Sequence, residues 1–294
     1  MQLELFLEKP KALLPQRVEG EEVTNVASVP QRSPFRYPGG KTWLIPLVRK
    51  WMQPFAAKDT HFIEPFAGGG IVSLTVAFED LASRITMVEL DDEVASVWEV
   101  IFQGEGEWLA EKVLHFDFTP ENVQRELSAE PANLRAMAFK TILKNRVLHG
   151  GILAKGSGQM KSGENGKGLG SRWYPLTLCK RIRAIDQIRH KITFIRGDAF
   201  PVIESQLDNP SAVFFIDPPY TVAGRRLYTH SELDHERLFM LASCIKGHFM
   251  LTYDDTKEVR QLAERFCLPY RSIPMKTTHH LKKYELLITN SSEW

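Results

Sequence analysis

The stretch FIEPFAGGGIVSL, residues 62–74, is a short apolar run, a glycine-rich turn and a helical period in immediate succession. Gly68, Gly69 and Gly70 let the main chain turn tightly and let a ligand approach the backbone. A strand that passes through such a turn into a helix is the first unit of a doubly wound α/β sheet, and a nucleotide-like ligand sits at that turn. The spacing is neither GxGxxG nor GxxxxGK[ST], so neither a dinucleotide nor a P-loop phosphate is the favoured guest.

The same alternation repeats outward from this unit. RITMVEL (84–90) reads as a strand, and DDEVASVWEVIFQ (91–103) as a helix with acids at its start. ITFIRGD (192–198) leads into AFPVIESQL (199–207), and AVFFID (212–217) precedes ELDHERLFMLASCIK (232–246) after a loop. HFMLTYDD (248–255) precedes TKEVRQLAERF (256–266). The closing runs YRSIPMK (270–276) and YELLITN (284–290) have no helix between them, so they should pair antiparallel. The expectation is an α/β fold with seven strands, mostly parallel, and helices on both faces.

Residues 104–191 break the rhythm. LRAMAFKTILKNRVL (134–148) is helical, but residues 150–175 carry eight glycines and no strand or helix period. A loop of that length is usually functional or disordered. The expected organisation is an extension over 1–33, an α/β domain over 34–103 and 192–294, and a mainly helical insertion over 104–191.

Composition narrows the class. The 294 residues are 43% apolar and carry a net charge of +1, so any basic surface must be local. Cys179, Cys244 and Cys267 form neither a zinc spacing nor a disulfide framework, which suits a reducing cytosol. MQLELFLEKPKALLPQ, at the start, has acids inside its only apolar stretch and lacks a signal-peptide pattern. No run has the length of a membrane span.

The ends of the strands carry the chemistry. Glu89 follows the glycine turn by roughly 20 residues, where an acid accepts from both ribose hydroxyls. Asp198 ends the next strand and can accept from an exocyclic adenine amine. A turn, a ribose acceptor and an adenine acceptor in this order imply an adenosine cofactor without a pyrophosphate, and S-adenosyl-L-methionine fits. Its amino-acid end could use RYPGGK (36–41), with Lys41 meeting the carboxylate and Tyr37 packing on the cofactor. A plain Pro-Gly turn with a surface lysine is the competing reading.

AVFFIDPPY (212–220) ends the fourth strand on Asp217, Pro218, Pro219 and Tyr220. An exocyclic amine on a heteroaromatic ring is a poor nucleophile because its lone pair is delocalised. If Asp217 and the Pro218 carbonyl each accept one N–H, the nitrogen is drawn toward tetrahedral geometry, and Asp217 matches its developing positive charge. The prolines fix the carbonyl, and the Tyr220 ring offers the base a stacking surface. A duplex base must be flipped out to reach such a site. No metal has a role in this scheme. His279 and His280 lack a partner cluster and read as surface or DNA-facing residues.

With these motifs in order, the chain resembles the Dam-type (D12 class, alpha group) adenine-specific DNA methyltransferases over most of residues 34–290. The resemblance rests on RYPGGK, FIEPFAGGG, VEL at Glu89, GDAF from Gly197, DPPY, TYDDT (252–256) and KKYELLITN. It implies a Rossmann-like class I S-adenosylmethionine-dependent methyltransferase fold, and transfer of a methyl group to N6 of adenine with S-adenosyl-L-homocysteine as product. By resemblance Tyr37, Lys41, Glu89 and Asp217 line the cofactor site, joined by Glu64, Phe66, Gly68, Gly69, Gly70 and Asp198. Tyr37 stands where the family usually has Trp and Glu89 where it has Asp. Both replacements keep a ring and a ribose acceptor.

NRVLHGG (145–151) is similar to the family's Asn-Arg stretch in the target-recognition region. DNA contacts are therefore expected at Asn145 and Arg146, and at Lys155, Lys161, Lys167, Arg172, Lys180, Arg181 and Arg183. In the insertion these bases, with Arg189 and Lys191, face few acids in sequence, as phosphate contacts require. A solvated helix face over 180–191, with Ile182, Ile185 and Ile188 buried, is compatible with both. The expected partner is double-stranded DNA, with no membrane, and a cognate restriction endonuclease where the enzyme belongs to a restriction–modification pair. A monomer in the cytoplasm of a bacterial or phage-infected cell is expected. A cytosine-N4 methyltransferase would usually carry Ser at position 217 and a glutamine-N5 protein methyltransferase Asn. A DNA-binding regulator on an inactive core is disfavoured by the intact Lys41, Glu89 and Asp217.

Overall fold

The computed structural model describes residues 16–17, 26–37, 39–56, 59–154, 156–160, 162–163, 166–220, 233–276 and 282–290. Eight strands form one sheet. They are β1 (Gln16–Arg17), β2 (His61–Glu64), β3 (Arg84–Glu89), β4 (Ile192–Arg196), β5 (Ala212–Ile216), β6 (His248–Asp254), β7 (Tyr270–Lys276) and β8 (Lys282–Thr289). Their order is β1-β7-β8-β6-β5-β2-β3-β4. Strands β2 to β6 are mutually parallel, and β8 lies antiparallel between β6 and β7. The seven strands β2–β8 therefore have the expected arrangement. The two-residue β1, which pairs parallel with β7, is an addition that the sequence pattern does not announce.

Among the described residues ten α-helices surround the sheet: α1 (Ile45–Met52), α2 (Ile71–Phe78), α3 (Asp92–Val100), α4 (Gly106–Leu114), α5 (Pro120–Ser128), α6 (Leu134–Val147), α7 (Pro175–Gln187), α8 (Ala199–Ser205), α9 (His235–Cys244) and α10 (Lys257–Arg265). Alternate residues of a strand point to opposite faces. On β5, Val213 and Phe215 join one core with α1, α2 and α3, while Ala212, Phe214 and Ile216 join a second with α8, α9 and α10. Burial on both faces is what a parallel sheet requires.

The region 104–191 does not stand apart from this core. Leu109 and Val113 of α4, Phe139 and Ile142 of α6, and Leu178, Ile182 and Ile185 of α7 bury in the same cluster as α1–α3. The segment Ile101–Glu105 joins α3 to α4 through a kink at Gly104, whose φ is +87°. Val123, Leu143 and Val147 form a small separate cluster. The glycine-rich segment has local order where it is described. His149 N donates to Gly158 O at 3.0 Å, Met160 N donates to Val147 O at 2.9 Å, and Met160 is buried.

The end of the extension is also packed. Val29 is in the main core, and Arg32 pairs with Glu79 at 2.8 Å. Among the described residues no helix is long and apolar enough to cross a membrane.

The sheet needs a close approach just before β6. A Cβ on Gly247 would stand 2.1 Å from the carbonyl oxygen of Ala212 and 2.9 Å from that of Asn209. Main chain on both sides cannot rotate away. Gly247→Ala should therefore destabilise the protein by about 1–3 kcal/mol, the usual cost of overpacking. Urea unfolding measures it, and an unchanged midpoint would show that this turn yields freely.

Candidate active site

In a parallel sheet all carboxyl ends share one edge. Glu64, Glu89, Asp198 and Asp217 thus end or follow four neighbouring strands, and all four line one cavity of about 750 Å³. The reversal of strand order falls between β5 and β2, where doubly wound sheets bind ligands.

The glycine turn forms one wall. Gly68 and Gly70 have φ of +48° and +63°, a region that favours glycine. Added Cβ atoms would also collide, at Gly68 with the Tyr37 ring at 2.6 Å and at Gly70 with Met87 at 2.7 Å. Tyr37 therefore lies directly on the turn while lining the cavity. Glu89 ties this turn to the next. Its Oε2 accepts from Gly68 N at 2.7 Å and its Oε1 from Asp91 N at 2.8 Å. Trp98, fully buried on α3, donates from Nε1 to Gly68 O at 3.0 Å. Burial raises the Glu89 carboxyl to about 7 despite these donors. Glu64 accepts from Ser73 N at 2.9 Å, and burial raises it to about 8. Asp198 caps α8 by accepting from Phe200 N on Oδ1, and Phe66 and Phe200 also line the cavity.

Asp217 is the centre of a second group. Its Oδ1 forms an ion pair with Lys41 Nζ at 2.8 Å and accepts from Thr252 Oγ1 at 2.7 Å and the Tyr220 hydroxyl at 3.2 Å. Among the described residues its Oδ2 accepts no hydrogen bond. Pro218 is buried and Pro219 lines the cavity.

Two expected site residues are engaged within the protein. Lys41 does not stand free in the cavity. Its side chain is only 3% exposed, and Nζ is committed to Asp217 and to Gly39 O at 3.0 Å, because a buried ammonium needs a close countercharge. Tyr220 is not an open stacking platform either. Its ring stacks on Tyr253 at 5.8 Å between centroids, Lys41 Nζ lies 5.0 Å from its centre, and its hydroxyl turns inward to the carboxylate. Burial, then the charges of Asp217 and Glu285, raise that hydroxyl well above the ordinary phenol range.

The expected DNA contacts divide. Asn145 is fully buried, accepts from Arg36 N at 2.8 Å, and donates to Arg36 O at 3.0 Å and Gly151 O at 2.9 Å. It clamps backbone and has no surface for a phosphate. Arg146 is buried too and donates to Pro34 O. Burial lowers its guanidinium to about 9, assisted by the charges of Arg181, Arg36 and Arg172. Arg181 donates to Ser33 O at 3.0 Å and Arg172 to Leu148 O at 3.4 Å. Arg183 is bound to Glu107 at 2.8 Å and to Glu111, so it joins α7 to α4. Arg189 and Lys191 also have acids, Asp186 and Asp80. Of the bases that looked unopposed in sequence, Arg183 meets carboxylates brought by another helix, and Arg146, Arg172 and Arg181 meet backbone carbonyls. Lys167 and Lys180 are exposed, whereas Lys155, Lys161, His279 and His280 lie outside the described residues. Arg36, Arg146 and Arg181 line the same cavity as Asp217, with Tyr174, 56% exposed, at the start of α7. Sequence reading missed Tyr174 and Arg36 as cavity residues.

The residues fit an adenosine-type methyl donor. The cavity has the size of a small-molecule site, its glycine turn exposes main chain, and its carboxylates suit a ligand that carries positive charge. The sheet order defines the Rossmann-like fold of S-adenosylmethionine-dependent methyltransferases. Residues 37–84, which hold Tyr37, Lys41, Glu64 and the glycine turn, match the model of the D12 class N6 adenine-specific DNA methyltransferases. Similar solved structures include the rRNA methyltransferase aviRa of Streptomyces viridochromogenes, with TM-score 0.39, 11% identity and coverage of 91% of this chain and 94% of that one. A SAM-dependent methyltransferase of Agrobacterium tumefaciens gives 0.39 at 12% identity, over 84% of this chain and 61% of that one. A precorrin-6y C5,15-methyltransferase of Geobacter metallireducens gives 0.36 at 9% identity, over 83% and 86%. No curated protein matches the chain by sequence.

Glu64 yields a pH test. A carboxyl raised from 4.5 to about 8 costs nothing below its unfolded value and costs stability as pH rises through its folded value. Relative to wild type, Glu64→Gln should thus gain stability between pH 5 and 9, by a few kcal/mol at about 1.4 kcal/mol per pKa unit. Urea unfolding across that range reads the difference, and a constant gap would place Glu64 in a wetter setting.

Tyr220 yields another. Its hydroxyl bonds a carboxylate, and such bonds contribute about 1.5–3 kcal/mol, so Tyr220→Phe should slow single-turnover methyl transfer about tenfold or more. A Phe variant as fast as wild type, beside a dead Ala variant, would restore the ring as the part that matters.

Proposed function

We propose that this protein transfers a methyl group from S-adenosyl-L-methionine to N6 of an adenine flipped out of double-stranded DNA. The observation that carries the reading is the state of Asp217. Two donors and the Lys41 ammonium hold Oδ1, which fixes the carboxylate, and Oδ2 is left to accept from an amine entering the cavity. S-adenosylmethionine, when bound, supplies the electrophilic methyl group.

The chain's own residues do the rest. Asp217 Oδ2 takes one amine N–H and the Pro218 carbonyl takes the other, so the nitrogen lone pair is freed from the ring. Asp217 then stabilises the positive charge that grows on nitrogen, and being already oriented it reorganises little. Glu89 holds the glycine turn and offers acceptors for ribose hydroxyls. Asp198, with one oxygen on its helix cap, can take the adenine amine with the other.

DNA is the favoured acceptor because the family match concerns adenine-specific DNA enzymes. The arginines at the cavity support it: Arg146 is acted on by Arg181, Arg36 and Arg172, and no carboxylate is among those charges. Exposed Lys167 and Lys180 could add phosphate contacts, which position without reading sequence. The same chemistry on RNA or on a protein amide is what the test must separate.

Transfer of tritium from labelled S-adenosylmethionine should reach duplex DNA, and not RNA or protein, and the label should elute as N6-methyladenine. Asp217→Ala should abolish transfer while DNA binding survives. Label on cytosine, or turnover by Asp217→Ala, would reject the mechanism.

A further inference from the structure

Glu285 has no part in the chemistry above, yet it lies beside it. Because β8 runs antiparallel to β6, its beginning reaches the sheet edge where the parallel strands end. Glu285 is 4% exposed there, and its Oε2 has no hydrogen-bond partner among the described residues. The nearest cation is Lys41, whose Nζ is 3.8 Å from Oε2 and 2.8 Å from Asp217. Tyr220 interacts with both carboxylates. A buried acid with an unbonded oxygen is costly, so its presence behind Lys41 asks for a role.

The charges supply one. Lys41 and Asp217 alone would cancel, leaving a neutral pair at the point where the donor and the methylated amine both carry positive charge. A second carboxylate on Lys41 leaves the group with one net negative charge. We propose that Glu285 is a positioning residue for the proposed reaction, the second countercharge on Lys41 that keeps the Asp217 end of the cavity negative and so favours a cationic methyl donor over its neutral product.

This role rests on the S-adenosylmethionine reading and not on the choice of acceptor. The groups facing Glu285 are Lys41, Asp217 and Tyr220 from the cavity side and Asp254 from β6, its register partner. On β7 it faces Ile273. Burial, only partly offset by Lys41, raises Glu285 to about 7, so the role is present in alkali and absent in acid.

The test compares the sulfonium donor with its neutral product. Calorimetry would measure S-adenosylmethionine and S-adenosylhomocysteine binding to wild type and to the isosteric Glu285→Gln variant. Near pH 8.5 the variant should lose about tenfold of the preference for the sulfonium, the scale of one unit charge about 12 Å away at an effective dielectric near 20. Near pH 5.5, where wild-type Glu285 is protonated, the two proteins should show equal preferences. Parallel weakening of both ligands at both pH values would mean a structural role and overturn the proposal, as would an unchanged preference near pH 8.5. Where the variant does not fold, the wild-type carboxyl titration by NMR decides. A Glu285 pKa that responds equally to S-adenosylmethionine and to S-adenosylhomocysteine rejects the electrostatic coupling. Wild type binding neither ligand would remove the cofactor reading and this role together. Methylation of RNA instead of DNA would change the acceptor alone.

Discussion

The ion pair between Lys41 and Asp217 is the interaction on which the site depends. Lys41 comes from the segment before α1, and Asp217 from the end of β5, so one contact at 2.8 Å fastens the entry segment to the sheet edge. It also decides which oxygen of Asp217 can work. With Lys41, Thr252 and Tyr220 on Oδ1, the carboxylate cannot rotate without losing an ion pair and two hydrogen bonds at once. Hydrogen bonds to charged groups are the stronger kind, so orientation and charge are set by the same contacts.

The entry segment is fixed from its other side by helices that the sequence assigned to DNA. Asn145 and Arg146 on α6, and Arg181 on α7, hold the backbone of Ser33, Pro34 and Arg36, while Phe35 packs on Trp98 at 5.5 Å between centroids. Tyr37 and Lys41 follow directly. The inserted helices therefore help to build the cavity wall. A polymer that displaced α6 or α7 would be felt at Tyr37 through continuous backbone contacts.

The strand ends were the legible part. Apolar runs that stop at Glu64, Glu89, Asp198 and Asp217 predict a shared edge, because parallel strands put all their carboxyl ends together, and the structure brings these four acids to one cavity. The glycine turn was legible for a related reason, since positive φ and close packing against Tyr37 both demand glycine. What was not legible depends on which helix faces which. Arg183 looks unopposed along the chain, but Glu107 and Glu111 sit some 70 residues away in sequence, and only the α4–α7 packing brings them together. Asn145 looks like a polar surface residue because nothing in a helical period tells a buried backbone clamp from an exposed amide. Glu285 had a usable signal. In a strand that closes the sheet antiparallel, the first residues and not the last lie at the working edge, so an acid near the start of YELLITN belongs with Asp217.

The carboxylates at this edge carry a common cost. Glu64, Glu89 and Glu285 are each raised to between about 7 and 8, with burial as the largest cause. A site designed only to be stable would use neutral groups of the same shape, since buried charge rarely repays its desolvation. The cost becomes useful if the ligand is a cation. A positive charge placed among these acids favours their ionised forms and recovers part of the desolvation penalty, whereas a neutral thioether of the same shape does not. On the proposed reading the reaction itself removes the positive charge from the donor. The edge that draws the donor in then has a weaker hold on what remains, so the same buried acids serve both the binding of one ligand and the release of the other.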